Sequence, residues 1–260
     1  MELSALAVAG GLDTLWLGDG YLSNPDFGGW SGGMETFTEL AWLSGREPNA
    51  RVGITAAVLP IRDIVWVAKQ ANTLHRVAGG GFVLVAAPGF WRQDLEARGL
   101  DFDRRGSLFD AALDELTGAL NDPTFSPGPP DTGPPPVWLA GANATMQRAI
   151  DRRLPFQSSR ATPDELAPIA ADFFDRGGTK LAHRVRVELG DHSVAGAELD
   201  WHAVTGSVDE VVDAFGRFQD LGVFDLSLIP GQDDATSLRT LRGLVDDVLP
   251  QLGRQASADG

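Results

Sequence analysis

An α/β fold, a TIM (β/α)8-type barrel that lacks its first strand, is the fold class this sequence predicts, and three observations predict it. Short apolar runs, several rich in β-branched residues, alternate along the chain with stretches whose apolar residues recur at helical spacing. The length of 260 residues suits one barrel of roughly 250 residues better than two ordinary domains. The same alternation resumes after the one long proline-rich interruption, so residues 1–260 read as a single domain.

A first helical stretch, Leu3 to Ala9, stops at Gly10-Gly11. Thr14 to Leu17 reads as a buried strand ended by Gly18-Asp19-Gly20, followed by a glycine-rich loop to about Gly33 and a helix from Glu35 to Ser44. Arg51 to Ala57 is the next strand. Ile61, Ile64, Val65, Ala68, Ala71 and Leu74 then share one helical face, which Gly79-Gly80-Gly81 ends before a strand at Phe82 to Ala86. A polar loop leads to a helix from about Gly106 to Leu120. Residues 121–136 hold seven prolines and form a surface excursion.

Val137 to Ala140 is a strand, Ala144 to Arg152 a helix and Leu154 to Gln157 a strand. Thr162-Pro163-Asp164-Glu165 combines a threonine cap, proline at the first helical position and a capping-box glutamate; Ser207-Val208-Asp209-Glu210 is a second capping box. Between their helices lies a strand at Leu181 to Val187. Phe224 to Ile229 is the last strand, and a closing helix carries Leu238, Leu241, Leu244, Val245, Val248 and Leu249 on one face. The total is seven strands, one short of a closed eight-stranded barrel, and the chain begins with the helix that should follow a first strand. An open doubly wound sheet is the alternative fold.

Composition excludes several functions. With no cysteine, there are no disulfides, thiolate metal sites or thiol nucleophiles. The net charge of −15, from 36 acids and 21 bases, comes with no basic patch for nucleic acid. No apolar run approaches the roughly 18 residues of a membrane span, and Met1-Glu2-Leu3-Ser4 is not a signal peptide, so a cytoplasmic protein is expected. The four histidines show no metal-ligand spacing, so no metal is expected. Serine-nucleophile, Walker A and dinucleotide fingerprints are absent.

Catalytic candidates in such a barrel lie on loops at the carboxyl ends of strands. Gly141-Ala142-Asn143-Ala144-Thr145 follows a strand and opens a helix, where backbone amides and a threonine hydroxyl suit a phosphate; an ordinary turn capped by Asn143 is the plain alternative. Arg160, between a strand and a capped helix, could clamp a phosphate or carboxylate; Arg62 and Arg92 are weaker candidates of the same kind. Asp19, flanked by glycines, could hydrogen-bond a substrate or polar ring edge and is the one candidate catalytic residue. Of the seven tryptophans, Trp30, Trp91, Trp138 and Trp201 fall in or near loops, where they could wall a planar ring, whereas Trp42 and Trp66 fall within helices and read as core.

Several segments together resemble the luciferase-like monooxygenase superfamily. They are Ala7-Val8-Ala9-Gly10-Gly11-Leu12-Asp13-Thr14-Leu15-Trp16-Leu17-Gly18-Asp19, Arg51 to Arg62, and Ala68-Lys69-Gln70-Ala71-Asn72-Thr73-Leu74-His75-Arg76-Val77-Ala78-Gly79-Gly80, continued by Phe82 to Gly89, Gly99 and Arg104-Arg105-Gly106. The resemblance covers about Ala5 to Leu252 and rests on the order and spacing of motifs. It implies a barrel enzyme that binds reduced FMN or the deazaflavin F-420. The ring would lie near the ends of the family's third and fourth strands, at Thr55, Ala56 and Ala57 and at Ala87 and Gly89, with an often cis peptide near Thr55-Ala56-Ala57. The phosphate would meet Gly141, Ala142 and Thr145, with Arg160 nearby in the chain. Three departures stand out: Ala78-Gly79-Gly80-Gly81 lacks the family's turn arginine, Asp19-Gly20 replaces an Asp-His pair, and the first strand is missing.

The expectation is therefore a flavin- or F-420-dependent oxidoreductase or monooxygenase acting on a small organic substrate, with a homodimer as the assembly to test. The alternative is a non-catalytic cofactor- or ligand-binding barrel. A third reading is another barrel enzyme, such as an isomerase, using Asp19 or Glu188 as base.

Overall fold

The computed structural model describes residues 2–22, 33–131, 133–190, 203–231 and 233–252. Contacts group the described residues into two units, one within residues 13–149, the other within residues 2–12 and 150–252. Each consists of parallel strands and the helices that connect them.

In the first unit, β1 (Thr14–Leu17), β2 (Arg51–Val58), β3 (Phe82–Ala87) and β4 (Val137–Ala140) lie side by side in chain order, all parallel. The helices are α2 (Thr36–Arg46), α3 (Ile64–Val77), α4 (Arg92–Glu96) and α5 (Arg105–Asn121), with one-turn 3₁₀ segments at Leu59–Ile61 and Phe102–Arg104. Asp63 caps α3 by accepting from the Trp66 amide, and Glu35 caps α2 through the Thr38 amide. Strand alternation sends Phe82 outward to meet Phe37 of α2 at 6.0 Å between ring centroids. On the opposite face Trp16 pairs in register with Gly53, and its indole meets Trp138 at 5.5 Å. Gly53 is required there: a Cβ at this position would stand 2.3 Å from the Trp16 ring.

The proline-rich excursion is laid along α3. Lys69, Asn72 and Arg76, on one side of that helix, donate in turn to the carbonyls of Ser126, Pro127 and Gly128. Side-chain donors thus satisfy carbonyls of a segment whose prolines preclude a regular ladder.

In the second unit, β5 (Phe156–Ser159) and β8 (Val223–Ile229) flank β6 (Leu181–Leu189), and β7 (Ala203–Gly206) pairs with the last residues of β6, all parallel. Its helices include α1 (Glu2–Ala9), α7 (Pro163–Asp175), α8 (Val208–Asp220) and α9 (Asp234–Gly243), the last running into a π-helical turn at Leu244–Val248. α6 (Asn143–Arg152) spans the boundary between the units in the chain. Both capping boxes form as the sequence indicates, at Thr162/Glu165 and Ser207/Glu210. His183 of β6 is fully buried against Phe218 of α8, with one ring nitrogen 2.7 Å from the Ser158 hydroxyl and the other 2.9 Å from the Ala161 carbonyl. The carbonyl fixes Nε2 as the protonated nitrogen, so Nδ1 accepts from Ser158.

Sequence and structure differ at definable points. The described residues hold eight strands, not seven: β7 is a four-residue strand, Ala-Val-Thr-Gly, with no run of large apolar residues to signal it, and it lies beside β6, not ahead of α1. β5 begins at Phe156, past Pro155, two residues later than the sequence indicated. The segment read as a polar loop after Gly89 contains α4. Trp42 and Trp66, read as core, are 49% and 60% exposed; helical location alone does not tell the buried face from the solvent face. Trp30 and Trp201 lie outside the described residues.

Two outcomes follow for stability. Gly53→Ala should cost about 1–3 kcal/mol in urea unfolding, because the added methyl must displace the Trp16 indole or the strand. Burial, chiefly, draws His183 down to about 4 from its ordinary 6.5, helped by the charge of Arg184. A depressed histidine stabilises the fold above the unfolded-state value and loses that contribution as pH falls from about 6.5 towards about 4. The pH dependence of unfolding free energy should therefore show a drop of roughly 3 kcal/mol over that window that His183→Gln lacks.

Candidate functional site

The carboxyl ends of β1 to β4 bring most of the sequence-indicated residues into one unit. Asp19, just beyond β1, is held on all sides. Arg62 donates from Nε to Asp19 Oδ2 at 2.8 Å and from Nη2 to Oδ1, and the Val58 amide donates to Oδ2 at 3.1 Å. The Thr36 hydroxyl, which bonds the Gly18 carbonyl at 2.7 Å, stands 3.4 Å from Oδ1. The Asp19 side chain is 1% exposed and that of Arg62 9%. Burial by itself would lower the Arg62 guanidinium, but the hydrogen bonds and charge of Asp19 outweigh it and hold it above its ordinary value. Nη1 of Arg62 also reaches Glu35 at 3.3 Å, and the guanidinium lies 5.4 Å from the Phe37 ring centre. Arg62, a minor candidate in the sequence, is thus the centre of a rim network.

The end of β2 departs from regular strand geometry. The Thr55–Ala56 peptide is cis, and the pairing with β3 shifts between Thr55 and Ala57, leaving Ala56 as the extra residue of a bulge. Thr55 and Ala57 are buried. Across from them, Ala87 ends β3 opposite Val58. Gly89 has φ +83°, and a Cβ there would lie 2.8 Å from Val58 Cγ1, so only glycine lets the β3 loop close against β2.

At the end of β4, Gly141 packs against Thr145: a Cβ on Gly141 would stand 2.6 Å from the Thr145 hydroxyl. The Ala142 carbonyl accepts from the amides of Thr145 and Met146 at 2.7 and 3.1 Å, so the helix starts there, with Asn143 as its first residue. The amides preceding Thr145 are those a helix start leaves without an intrahelical acceptor. Thr145 is only 3% exposed.

Arg160 belongs to the other unit. It has φ +66°, and its amide donates to the Arg184 carbonyl at 3.1 Å. The Arg184 guanidinium is lowered to about 10 by burial, with the Arg160 charge adding to the effect. Glu188, named as a candidate base, is buried in an ion pair with Arg186 of the same strand. Among the described residues no group of three or more histidines and carboxylates is placed to hold a metal ion, and no helix is long and apolar enough to cross a membrane.

Sequence reasoning missed Asp94. It lies in α4, is 5% exposed, and accepts from the Tyr21 and Leu22 amides at 3.3 and 3.2 Å. Its only sequence signal was an aspartate shortly after the Pro88-Gly89 turn, and nothing local says that its partners lie seventy residues upstream. Arg62→Ala should destabilise the protein by about 3–5 kcal/mol in chemical denaturation, because it strands the buried Asp19 carboxylate. Adding Asp19→Asn to that variant should recover part of the loss, since the stranded charge is then removed.

The chain matches the family model for luciferase-like monooxygenases over residues 1–189. It is 29% identical over 207 residues to the uncharacterized protein Rv0940c of Mycobacterium tuberculosis, a match covering 74% of this chain and 66% of that one, so the alignment spans just under two thirds of the relative. An F420-dependent secondary alcohol dehydrogenase, solved with an F420–acetone adduct, superposes with a TM-score of 0.75 at 13% identity, covering 96% of this chain and 93% of that one. The oxygenating constituent of 3,6-diketocamphane monooxygenase from Pseudomonas putida, solved with FMN, gives 0.74 at 14% identity, over 96% and 91%. These likenesses extend over nearly the whole length and carry the α/β-barrel fold class of luciferase-like enzymes. With a family match over well over half of its residues, the chain belongs to the luciferase-like monooxygenase family.

Proposed function

We propose that this chain is an oxidoreductase that holds reduced FMN or F-420 at the carboxyl ends of β2, β3 and β4 and acts on a small organic substrate in the cytoplasm. The observation that carries this reading is the convergence of three small-residue segments at adjacent parallel strand ends: Thr55-Ala56-Ala57 with its cis peptide, Ala87 to Gly89, and the Gly141–Thr145 helix start. The residues suit such a group. Alanine and glycine side chains leave the strand ends open to a flat ring, and uncharged amides at a helix start favour a phosphate. Two structural neighbours, one described with F420 and one with FMN, favour the same class of cofactor.

When bound, the cofactor would supply hydride chemistry or, for FMN, oxygen chemistry. The chain's part is placement. Thr55, Ala56 and Ala57 would support one side of the ring, Ala87 and Gly89 would border it, and Gly141, Ala142 and Thr145 would take the phosphate. Asp19, bonded by Arg62 and the Val58 amide, would position the β1 and β2 ends. This reading makes Asp19 structural, whereas a base role needs a freer carboxylate.

Titration with FMN and with F-420, followed by ring absorbance and fluorescence, tests the reading. Binding of one of them in the micromolar range is expected; binding of neither at high micromolar concentration would sink it. Binding with no turnover of any reductant or acceptor would favour the non-catalytic binding barrel. Thr145→Ala should weaken cofactor affinity by about 0.5–3 kcal/mol if its hydroxyl bonds the phosphate, and an unchanged Kd would reject that contact.

A further inference from the structure

Strand alternation gives the second unit a polar face. His183 lies against Phe218 of α8 and Leu189 against Gly243 of α9, so Arg184, Arg186 and Glu188 share the opposite side of β6. The flanking strands continue that face: Gln157 of β5 donates to the Ser227 hydroxyl of β8 at 3.3 Å, and this hydroxyl donates to Asp225 at 3.1 Å. Gln157, Ser227, Arg186 and Glu188 are buried. Arg184, in register with Ser159 and Ser227, keeps part of its surface open to solvent. A sheet face lined with charges and hydroxyls costs more to bury than an apolar one and points to a ligand.

A like charge acts on Arg184. Arg160 leaves the end of β5 with φ +66°, and its amide donates to the Arg184 carbonyl at 3.1 Å, which brings the two arginines together on adjacent strands. Burial, chiefly, lowers the Arg184 guanidinium to about 10, and the Arg160 charge adds to the fall. Glu188, the carboxylate on the same strand, is engaged by Arg186, which donates to its Oε1 from both Nε and Nη2. Two neighbouring cations, one of them drawn out of water, are stabilised by an anion placed between them. Each guanidinium presents several N–H donors in a planar fork, so bonds made within the chain and bonds to a ligand can share it.

We propose that Arg184 and Arg160 form a binding subsite for a small oxyanion, a carboxylate or phosphate group, on the polar face of the second unit. The guanidinium fork matches the paired oxygens of such groups and holds them at two points. Gln157 and Ser227, bonded to each other, line the same face, and the Arg186–Glu188 pair lies further along β6. The subsite belongs wholly to the second unit, whereas the Gly141–Thr145 helix start belongs to the first. It therefore does not rest on the cofactor reading.

Binding of inorganic phosphate and of acetate to the full chain, each compared with chloride at the same ionic strength, tests this by isothermal titration calorimetry and by the rise in Tm with anion concentration. Saturable binding of at least one oxyanion is expected at concentrations up to about 50 mM, with no comparable effect of chloride. Phosphate alone would assign the subsite to phosphate groups, acetate alone to carboxylates, and both to oxyanions in general. Arg184→Gln and Arg160→Gln, each checked for folding by circular dichroism, should bind at least about tenfold more weakly than wild type. Arg160 stands past the end of β5, so its variant carries the test if Arg184→Gln does not fold. No saturable binding of either oxyanion, or wild-type affinity in Arg160→Gln, would overturn the subsite. Repeating the phosphate titration in Thr145→Ala separates binding at the helix start of the first unit. A signal lost there and retained in the arginine variants would equally overturn the proposal.

Discussion

The buried ion pair between Asp19 and Arg62 is the constraint from which the rest of the candidate site follows. The carboxylate lies where β1 gives way to its loop, and the guanidinium lies just past the one-turn helix that follows β2. Together with the Val58 amide and Glu35, they tie two strand ends and the start of α2 into one rigid corner. Neither charge could be left alone at this depth, since an isolated buried charge costs several kcal/mol. The two-point fork also fixes orientation, not merely distance. The bulge at Ala56 and the close approach of Gly89 to Val58 are built against this corner.

Around it, small residues do what bulky ones cannot. Gly53 gives the Trp16 indole the space above the β2 backbone, so that Trp16 and Trp138 fill the inner face below the strand ends. Gly141 likewise lets the β4 turn fold onto Thr145. A glycine in a strand or turn costs conformational entropy on folding; here each one is offset by a close contact that any side chain would block. The other unit is organised by a buried polar residue instead. His183 is neutral and doubly bonded and links β6 to the Ser158 and Ala161 positions, which makes that unit sensitive to acid where the first is sensitive to loss of a charge partner.

Asp19 and Asp94 show how two carboxylates beside one loop come to differ. Asp19 has a cation in bidentate contact and serves as a fixed strut. Asp94 accepts from two amides, and burial raises its carboxyl above the ordinary range, so its charge is tolerated less well. The difference comes from the neighbours that folding supplies and not from the residues themselves.

The alternation of apolar runs and helical faces, the two capping boxes and the glycine stops were legible in the sequence because they depend on neighbours within a few positions. So was the family, since the order of motifs such as Ala68 to Gly80 survives without knowledge of contacts. The short strand β7, the short helix α4 and the exposed faces of Trp42 and Trp66 were not legible. Ala203-Val204-Thr205-Gly206 has no run of large apolar residues such as marks the equally short β1 and β4, and a tryptophan on a helix does not say which way the helix will turn. Tertiary structure alone decided the roles of Arg62 and Asp94, because each acts on residues 43 and more than 70 positions away. The sequence by itself determined the α/β class and the small residues at the strand ends; the partners that fix each charge were decided only when distant segments met, since electrostatics at a site depends on distance in space and not along the chain.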